Sequence, residues 1–186
     1  MDFIEKYVKE HLATELGIIQ ASSFHTSINL TDYEKTIIYK YSDDGFRDIN
    51  KVLRVSKGAS FNEFGILLYT SISKLPSYRG IVYRKVYLTD TELDLYIQAF
   101  SNQTIIVEYP FISTSKFISV AILWAGITGF IPNCVFVIYI RTGKEIELMS
   151  KFNDEKEVLL KPNTQFNVLN IVIEPDFIQI TMEEQL

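Results

Sequence analysis

Two carboxylates separated by one residue, Glu155 and Glu157, are the pair in this chain best placed to do chemistry together. On a strand, side chains alternate between faces, so residues two apart point the same way. Such a pair can divide a reaction: one carboxylate stabilises a developing positive charge while the other orients an acceptor and takes its proton. Upstream lie an apolar run closed by an arginine, Gly80-Ile81-Val82-Tyr83-Arg84, and a hydroxyl-rich segment, Phe111-Ile112-Ser113-Thr114-Ser115. The guanidinium of Arg84 is a planar donor fork suited to a phosphate. Each piece alone is commonplace. Ser-Thr-Ser is a frequent edge-strand or turn tripeptide, Glu-Lys-Glu a solvated turn, and a strand arginine a surface ion-pair partner.

Other chemistries fit poorly. Cys134 is the only cysteine, so an intramolecular disulfide and a Cys-based zinc site are excluded. The two histidines, His11 and His25, stand in no metal-ligand spacing, so no metal is expected and a Ser-His-Asp reading is weak. A net charge of −5 disfavours nucleic acid as substrate.

In order and in kind, the three pieces resemble the arginine, serine and glutamate signatures of the arginine-directed mono-ADP-ribosyltransferase toxins. Ser113 follows Arg84 by 29 residues and Glu155 follows Ser113 by 42. Lys74-Leu75-Pro76 before the first piece, Phe152 before the Glu-x-Glu, Pro162 and Phe166 after it, and Tyr41-Ser42, Ile49-Asn50 and Leu53-Arg54 ahead of all three extend the likeness from Leu30 to Glu174. It implies NAD⁺ as co-substrate, gripped by Arg84 and its neighbour Tyr83, with Ser113 and Thr114 on the facing strand. Glu157 would stabilise the oxocarbenium-like sugar, Ser113 would orient Glu157, and Glu155 would take the proton of the acceptor arginine. Phe152 matches the aromatic of the substrate-recognition turn. Relatives usually carry glycine after the strand arginine, where this chain has Lys85; a side chain there could narrow the NAD cleft.

Arg79 competes with Arg84, since Tyr78-Arg79-Gly80 also has an aromatic-Arg-Gly look. Arg84 is preferred because Ile81-Val82-Tyr83 forms the apolar strand that leads into it, which leaves Arg79 in the connecting turn.

The elements that must position these residues read as helices first and strands second, one α+β domain over residues 1–186 with a helical lead-in (1–76) and a β-rich core (77–186). Ile4, Val8, Leu12 and Leu16 recur every four residues, with Asp2 to cap the helix and Gly17 to stop it. Thr31/Glu34 and Ser60/Glu63 are capping-box patterns, and Phe46, Ile49 and Leu53 mark a short helix between them. Strands are expected at 81–88, 104–108, 111–114, 135–141, 145–149, 157–160, 166–174 and 177–182, with helices at 91–100 and 116–125. The resemblance implies an ADP-ribosyltransferase-like fold in which two packed, mostly antiparallel sheets enclose the NAD cleft.

The apolar run 117–140 approaches membrane-span length, but Gly126, Thr128, Gly129, Pro132 and Asn133 interrupt it, so no span is expected. The opening Met1-Asp2-Phe3-Ile4-Glu5 lacks a secretory signal pattern. The toxin resemblance implies secretion or delivery into a target cell, action in its cytoplasm on a target protein, and room for an immunity partner. The alternatives are the same NAD chemistry with a non-arginine acceptor or water, an inactive homologue that binds NAD or a partner, and a membrane-inserting module.

Overall fold

The computed structural model describes residues 2–22, 29–124, 133–174 and 177–186. Helices α1 (Phe3–His11), α2 (Ala13–Ala21), α3 (Asp32–Lys40), α4 (Phe46–Val55) and α5 (Glu63–Ser73) precede the strands, with a π-helical turn at Tyr41–Gly45 joining α3 to α4. The strands are β1 (Ser77–Val86), β2 (Ile105–Glu108), β3 (Ile112–Ser115), β4 (Cys134–Glu145), β5 (Glu157–Leu160), β6 (Thr164–Ile173) and β7 (Ile178–Gln185). Helix α6 (Asp90–Asn102) separates β1 from β2, and α7 (Ile118–Trp124) follows β3.

The helix starts follow their local chemistry. Thr31 and Glu34 form the expected reciprocal capping box on α3, and Thr89 with Glu92 forms another on α6. Helix α5 is capped differently: Asn62, not Ser60, accepts from the Gly65 amide, because asparagine serves as well as serine in that role. The first helix also departs from expectation. It breaks at Leu12, and α2 runs on through Gly17, since an exposed glycine lowers helix stability by only about 1 kcal/mol against alanine.

Two layers of strands carry the site. In the larger, β1 pairs antiparallel with β4, β4 parallel with β7, β7 with β6 and β6 with β2. In the smaller, β3 pairs with β5. The layers are joined at Tyr83↔Ser115 and at Lys144↔Leu159, so among the described residues the two expected sheets form one hydrogen-bonded network of seven strands.

Period-two alternation on β3 and β5 sorts the interior into two cores. Ile112, Val158 and Leu160 pack with Val82, Phe136, Ile138, Phe166 and Met182 of the larger layer. Phe111 and Leu159 pack instead with Ile37, Tyr41, Ile49, Leu53, Leu68 and Ile72 of the helices. The expected strand at 145–149 is absent: Ile146 and Met149, both fully buried in the helical core, belong to a turn closed by the Met149 N–H on the Ile146 carbonyl. Their three-residue spacing is that of a turn, not of a strand.

Helix α7 begins two residues after the expected start; residues 125–132, which hold all of the interruption but Asn133, lie outside the described residues. Among the described residues no helix is long and apolar enough to cross a membrane.

One side chain ties the helical layer to the smaller sheet. Asn50, on α4, donates to the Phe111 carbonyl (3.2 Å) and accepts from the Phe111 amide (3.0 Å), pairing with the backbone as a neighbouring strand would. Both bonds are buried. Asn50→Ala should therefore cost about 2–4 kcal/mol, one unsatisfied buried donor plus one unsatisfied acceptor, read as a lower denaturant midpoint with unchanged slope.

Candidate active site

A cavity of about 460 Å³ opens where β1, β3, the start of β5 and the α3–α4 junction converge. Arg84, Ser113, Glu155 and Glu157, dispersed over 74 residues of sequence, all line it, together with Tyr83 and Thr114. Arg84, Ser113, Glu155 and Glu157 are each delivered by a different piece of backbone.

Glu157 opens β5 and is 3% exposed. Its Oε1 accepts from Ser113 Oγ at 2.5 Å and its Oε2 from Ser150 Oγ at 3.4 Å. Ser113 lies on β3, directly across the ladder from Leu159. Burial pushes the Glu157 carboxyl above the ordinary range, while the two serine hydroxyls and the charge of Arg84 pull it back. Arg84 is itself anchored: Nη1 donates to the Ser113 carbonyl at 2.6 Å, which fixes the guanidinium beside the strand that holds Glu157. Tyr41, fully buried in the cavity wall, has its phenol pKa raised by burial first and by the Glu157 charge second.

Glu155 reaches the cavity by another route than expected. It is not on the strand with Glu157 but ends a 3-10 turn, Asn153–Glu155, and Lys156 follows in the left-handed region (φ 51°). Strand alternation therefore cannot relate the two carboxylates; the left-handed residue between them turns the chain so that both line one cavity. Asn-Asp-Glu is turn-forming chemistry, which explains why no strand starts before Glu157. Burial, then the neighbouring Glu157 charge, pushes the Glu155 carboxyl up to about 8. Its Oε1 is buried with no hydrogen-bond partner.

The other candidate residues are placed as follows. The Thr114 hydroxyl is committed to the Val158 carbonyl at 2.6 Å. Ser115 Oγ donates to the Glu155 carbonyl at 2.7 Å, so it supports the turn. Phe152 is 40% exposed on that turn and does not line the cavity. Arg79 is not in a connecting turn: β1 begins at Ser77, and Arg79 sits exposed at an irregularity in the β1–β4 register between Tyr78 and Gly80. Lys85 lines the cavity without closing it, and with Arg54 and Arg84 also lines a second cavity of about 530 Å³.

Several lining residues were given no site role by the sequence reading. Arg47, Asn50 and Arg54 bring one face of α4 to the cavity, and their i, i+3, i+7 spacing is the signal that could have found them. Ser150, which donates to Glu157, has no local pattern that marks it.

The electrostatics carry a test. An acid whose pKa is raised on folding adds stability in full below its unfolded value, and loses it as pH rises toward the folded one. The Glu155 contribution should therefore decline between pH 4.5 and about 8. A ¹³C NMR titration of the Glu155 carboxyl should show its midpoint near 8, moving down in Glu157→Gln. A midpoint in the ordinary glutamate range would disprove the burial of this pair.

The profile of the ADP-ribosyltransferase exoenzyme family matches residues 6–186. Over 146 residues the chain is 30% identical to the NAD(+)–protein-arginine ADP-ribosyltransferase Tre1 of Serratia proteamaculans (strain 568), covering 76% of this chain and 29% of that protein. Among solved structures, the ADP-ribosyltransferase HopU1 of Pseudomonas syringae pv. tomato DC3000 superposes with a TM-score of 0.74 at 17% identity, over 99% of this chain and 86% of that one. The ADP-ribosyltransferase Vis of Vibrio splendidus, solved in complex with agmatine, gives 0.67 at 22% identity, over 98% and 86%. Both likenesses establish the fold. The chain spans 20%, 29% and 60% of the length of the curated relatives it matches. On the family profile and the shared fold, this chain belongs to the ADP-ribosyltransferase exoenzyme family.

Proposed function

We propose that this chain transfers a single ADP-ribose from NAD⁺ to an arginine of a target protein, as the catalytic domain of a bacterial toxin or effector delivered into the cell it acts on. The observation that carries the reading is the buried carboxylate of Glu157, held at one oxygen by Ser113, in the same cavity as a second carboxylate with an unpartnered oxygen. The curated relatives are named as arginine ADP-ribosyltransferases.

NAD⁺ supplies the ADP-ribosyl group and nicotinamide as leaving group. The bond from nicotinamide nitrogen to ribose C1 breaks with its electron pair going to nicotinamide, and the ribose becomes cationic. Glu157, preorganised by Ser113 and Ser150, stabilises that charge electrostatically. A guanidinium is a weak nucleophile while protonated, with pKa above about 12. Glu155 accepts the guanidinium N–H and then its proton as the new bond from nitrogen to C1 forms. Its unpartnered oxygen is an acceptor without a donor, which a guanidinium supplies. Arg84, with Arg47 and Arg54 on the facing helix, gives the cavity the positive charge a diphosphate needs. Lys85 adds a cation to that wall and leaves the cavity open, which argues against an inactive homologue.

The two glutamates should separate by function. Glu157→Gln should lower both NAD⁺ hydrolysis and arginine transfer by at least ~100-fold, the usual scale for removing a preorganised electrostatic group. Glu155→Gln should abolish transfer to agmatine while hydrolysis stays within about threefold, since only transfer needs the base. In the parent chain, transfer measured at subsaturating agmatine should rise with pH up to about 8, where Glu155 is ionised in the free protein. Parent-rate hydrolysis by Glu157→Gln would refute the assignment.

Arg84 and Arg79 should also part. Arg84→Ala should raise the NAD⁺ dissociation constant at least tenfold, about 1.4 kcal/mol, and Arg79→Ala should leave it unchanged in a calorimetric titration. The reverse result would move the phosphate clamp to Arg79.

A further inference from the structure

The turn that carries Ser150, Phe152 and Glu155 is fastened to the sheet at its base and to the helices at its tip. At the base, Ile146 and Met149 are buried in the helical core, the Ile146 amide donates to the Glu157 carbonyl, and Ser115 and Lys116 hold the carbonyls of Glu155 and Lys156. At the tip, the Lys151 amide donates to Ser42 Oγ at 2.8 Å, across 109 residues of sequence. The Lys151 ammonium meets Asp43 Oδ1 at 2.6 Å. Ser42 and Asp43 both belong to the π-helical turn.

That turn is built for the contact. Five residues, Tyr41–Gly45, occupy the π turn between α3 and α4, an irregularity that recurs at functional sites. Gly45 permits it: a Cβ there would lie 2.9 Å from the Lys40 carbonyl and 2.9 Å from the Phe64 ring. Tyr41 and Ser42 also line the cavity, so the same turn is both cavity wall and anchor. The Ser42 hydroxyl donates to the Tyr39 carbonyl at 2.7 Å, which leaves its lone pairs for the Lys151 amide. Beyond Lys151 the connection continues. Ser150 Oγ accepts from the Phe152 amide at 3.2 Å and donates to Glu157 Oε2 at 3.4 Å.

We propose that Ser42 is a positioning residue for the transfer reaction: its hydroxyl latches Lys151 to the π turn, and so sets the Ser150 hydroxyl against Glu157 and holds Glu155 at the cavity. Of the two contacts, the neutral one carries the register. The Lys151–Asp43 pair is 39% and 29% exposed in its side chains, where ion pairs are weak and screened by salt. A backbone amide held by a fixed hydroxyl defines position far better than two solvated side chains.

The proposal rests on the reading of Glu155 and Glu157 given above, and its test separates the two. Ser42→Ala, Ser42→Thr and the parent chain are compared by amide hydrogen exchange and by steady-state kinetics with NAD⁺ and agmatine. In Ser42→Ala, exchange at residues 150–155 should rise about tenfold with α5 and β4 unchanged. The kcat for transfer should fall about tenfold while the NAD⁺ KM stays within about twofold, the mark of misplaced groups rather than lost binding. Ser42→Thr, which keeps the hydroxyl, should restore both. Unchanged exchange at 150–155 in Ser42→Ala overturns the latch. Raised exchange with parent kcat shows that the latch does not position the reaction, and overturns the proposal as well. If the parent chain neither cleaves NAD⁺ nor modifies agmatine, the proposed function falls, and the exchange measurement alone decides the latch.

Discussion

Burying one carboxylate beside another is the constraint around which this domain is arranged. Glu157 is removed from water with Glu155 in the same cavity, and isolated charges in a protein interior are costly unless hydrogen bonds and a countercharge offset the loss of solvation. Here two hydroxyls, from Ser113 and Ser150, and the nearby Arg84 supply that compensation to Glu157. Glu155 receives none of it and holds its proton instead. The asymmetry gives two chemically identical side chains different surroundings in one cavity, a familiar way of dividing roles within one site.

The compensation needs backbone from four places, and the fold exists to bring them together. Strand β3 contributes the Ser113 hydroxyl on one side of its pleat and a core residue, Ile112, on the other. Phe111, immediately before that strand, is tied to α4 through Asn50, so the helix facing the cavity and the strand lining it cannot shift independently. The buried Lys144 makes a comparable junction nearby: its ammonium donates to the Leu75 carbonyl at 2.6 Å just past the end of α5, joining β4 to the helical layer. Burial pulls the pKa of that lysine down.

What was legible in the sequence follows from which interactions are local. The Thr31 capping box, the apolar face of α5 and the strand at 157–160 are short-range patterns, and they stand as expected. The cavity residues Arg84, Ser113 and Glu157 were found through resemblance, since nothing in local periodicity brings three segments to one place. The misses are non-local or conformational. A 3-10 turn with a left-handed lysine at 156 has no glycine to announce it. The π turn at 41–45 has no periodic signature of its own between the two expected helices, and the expected strand at 145–149 fails because burial, not alternation, places Ile146 and Met149. Ser150 and the α4 face were visible as residues but acquired a role only from geometry.

The position of β7 has a consequence for how the domain assembles. The last strand in sequence is paired on both sides, parallel to β4 and antiparallel to β6, so it fills the middle of the larger layer. Until it docks, β4 and β6 present open edges, and among the described residues β6 with β2 has no hydrogen-bonded link to the rest of the sheet. The β6–β7 hairpin is local, but the parallel β4–β7 pairing joins distant segments such as Cys134 and Ile178; pairings of that kind form late and slowly, and unpaired edges recruit other chains in the meantime. On a ribosome, the larger sheet remains incomplete until residues 178–185 have emerged.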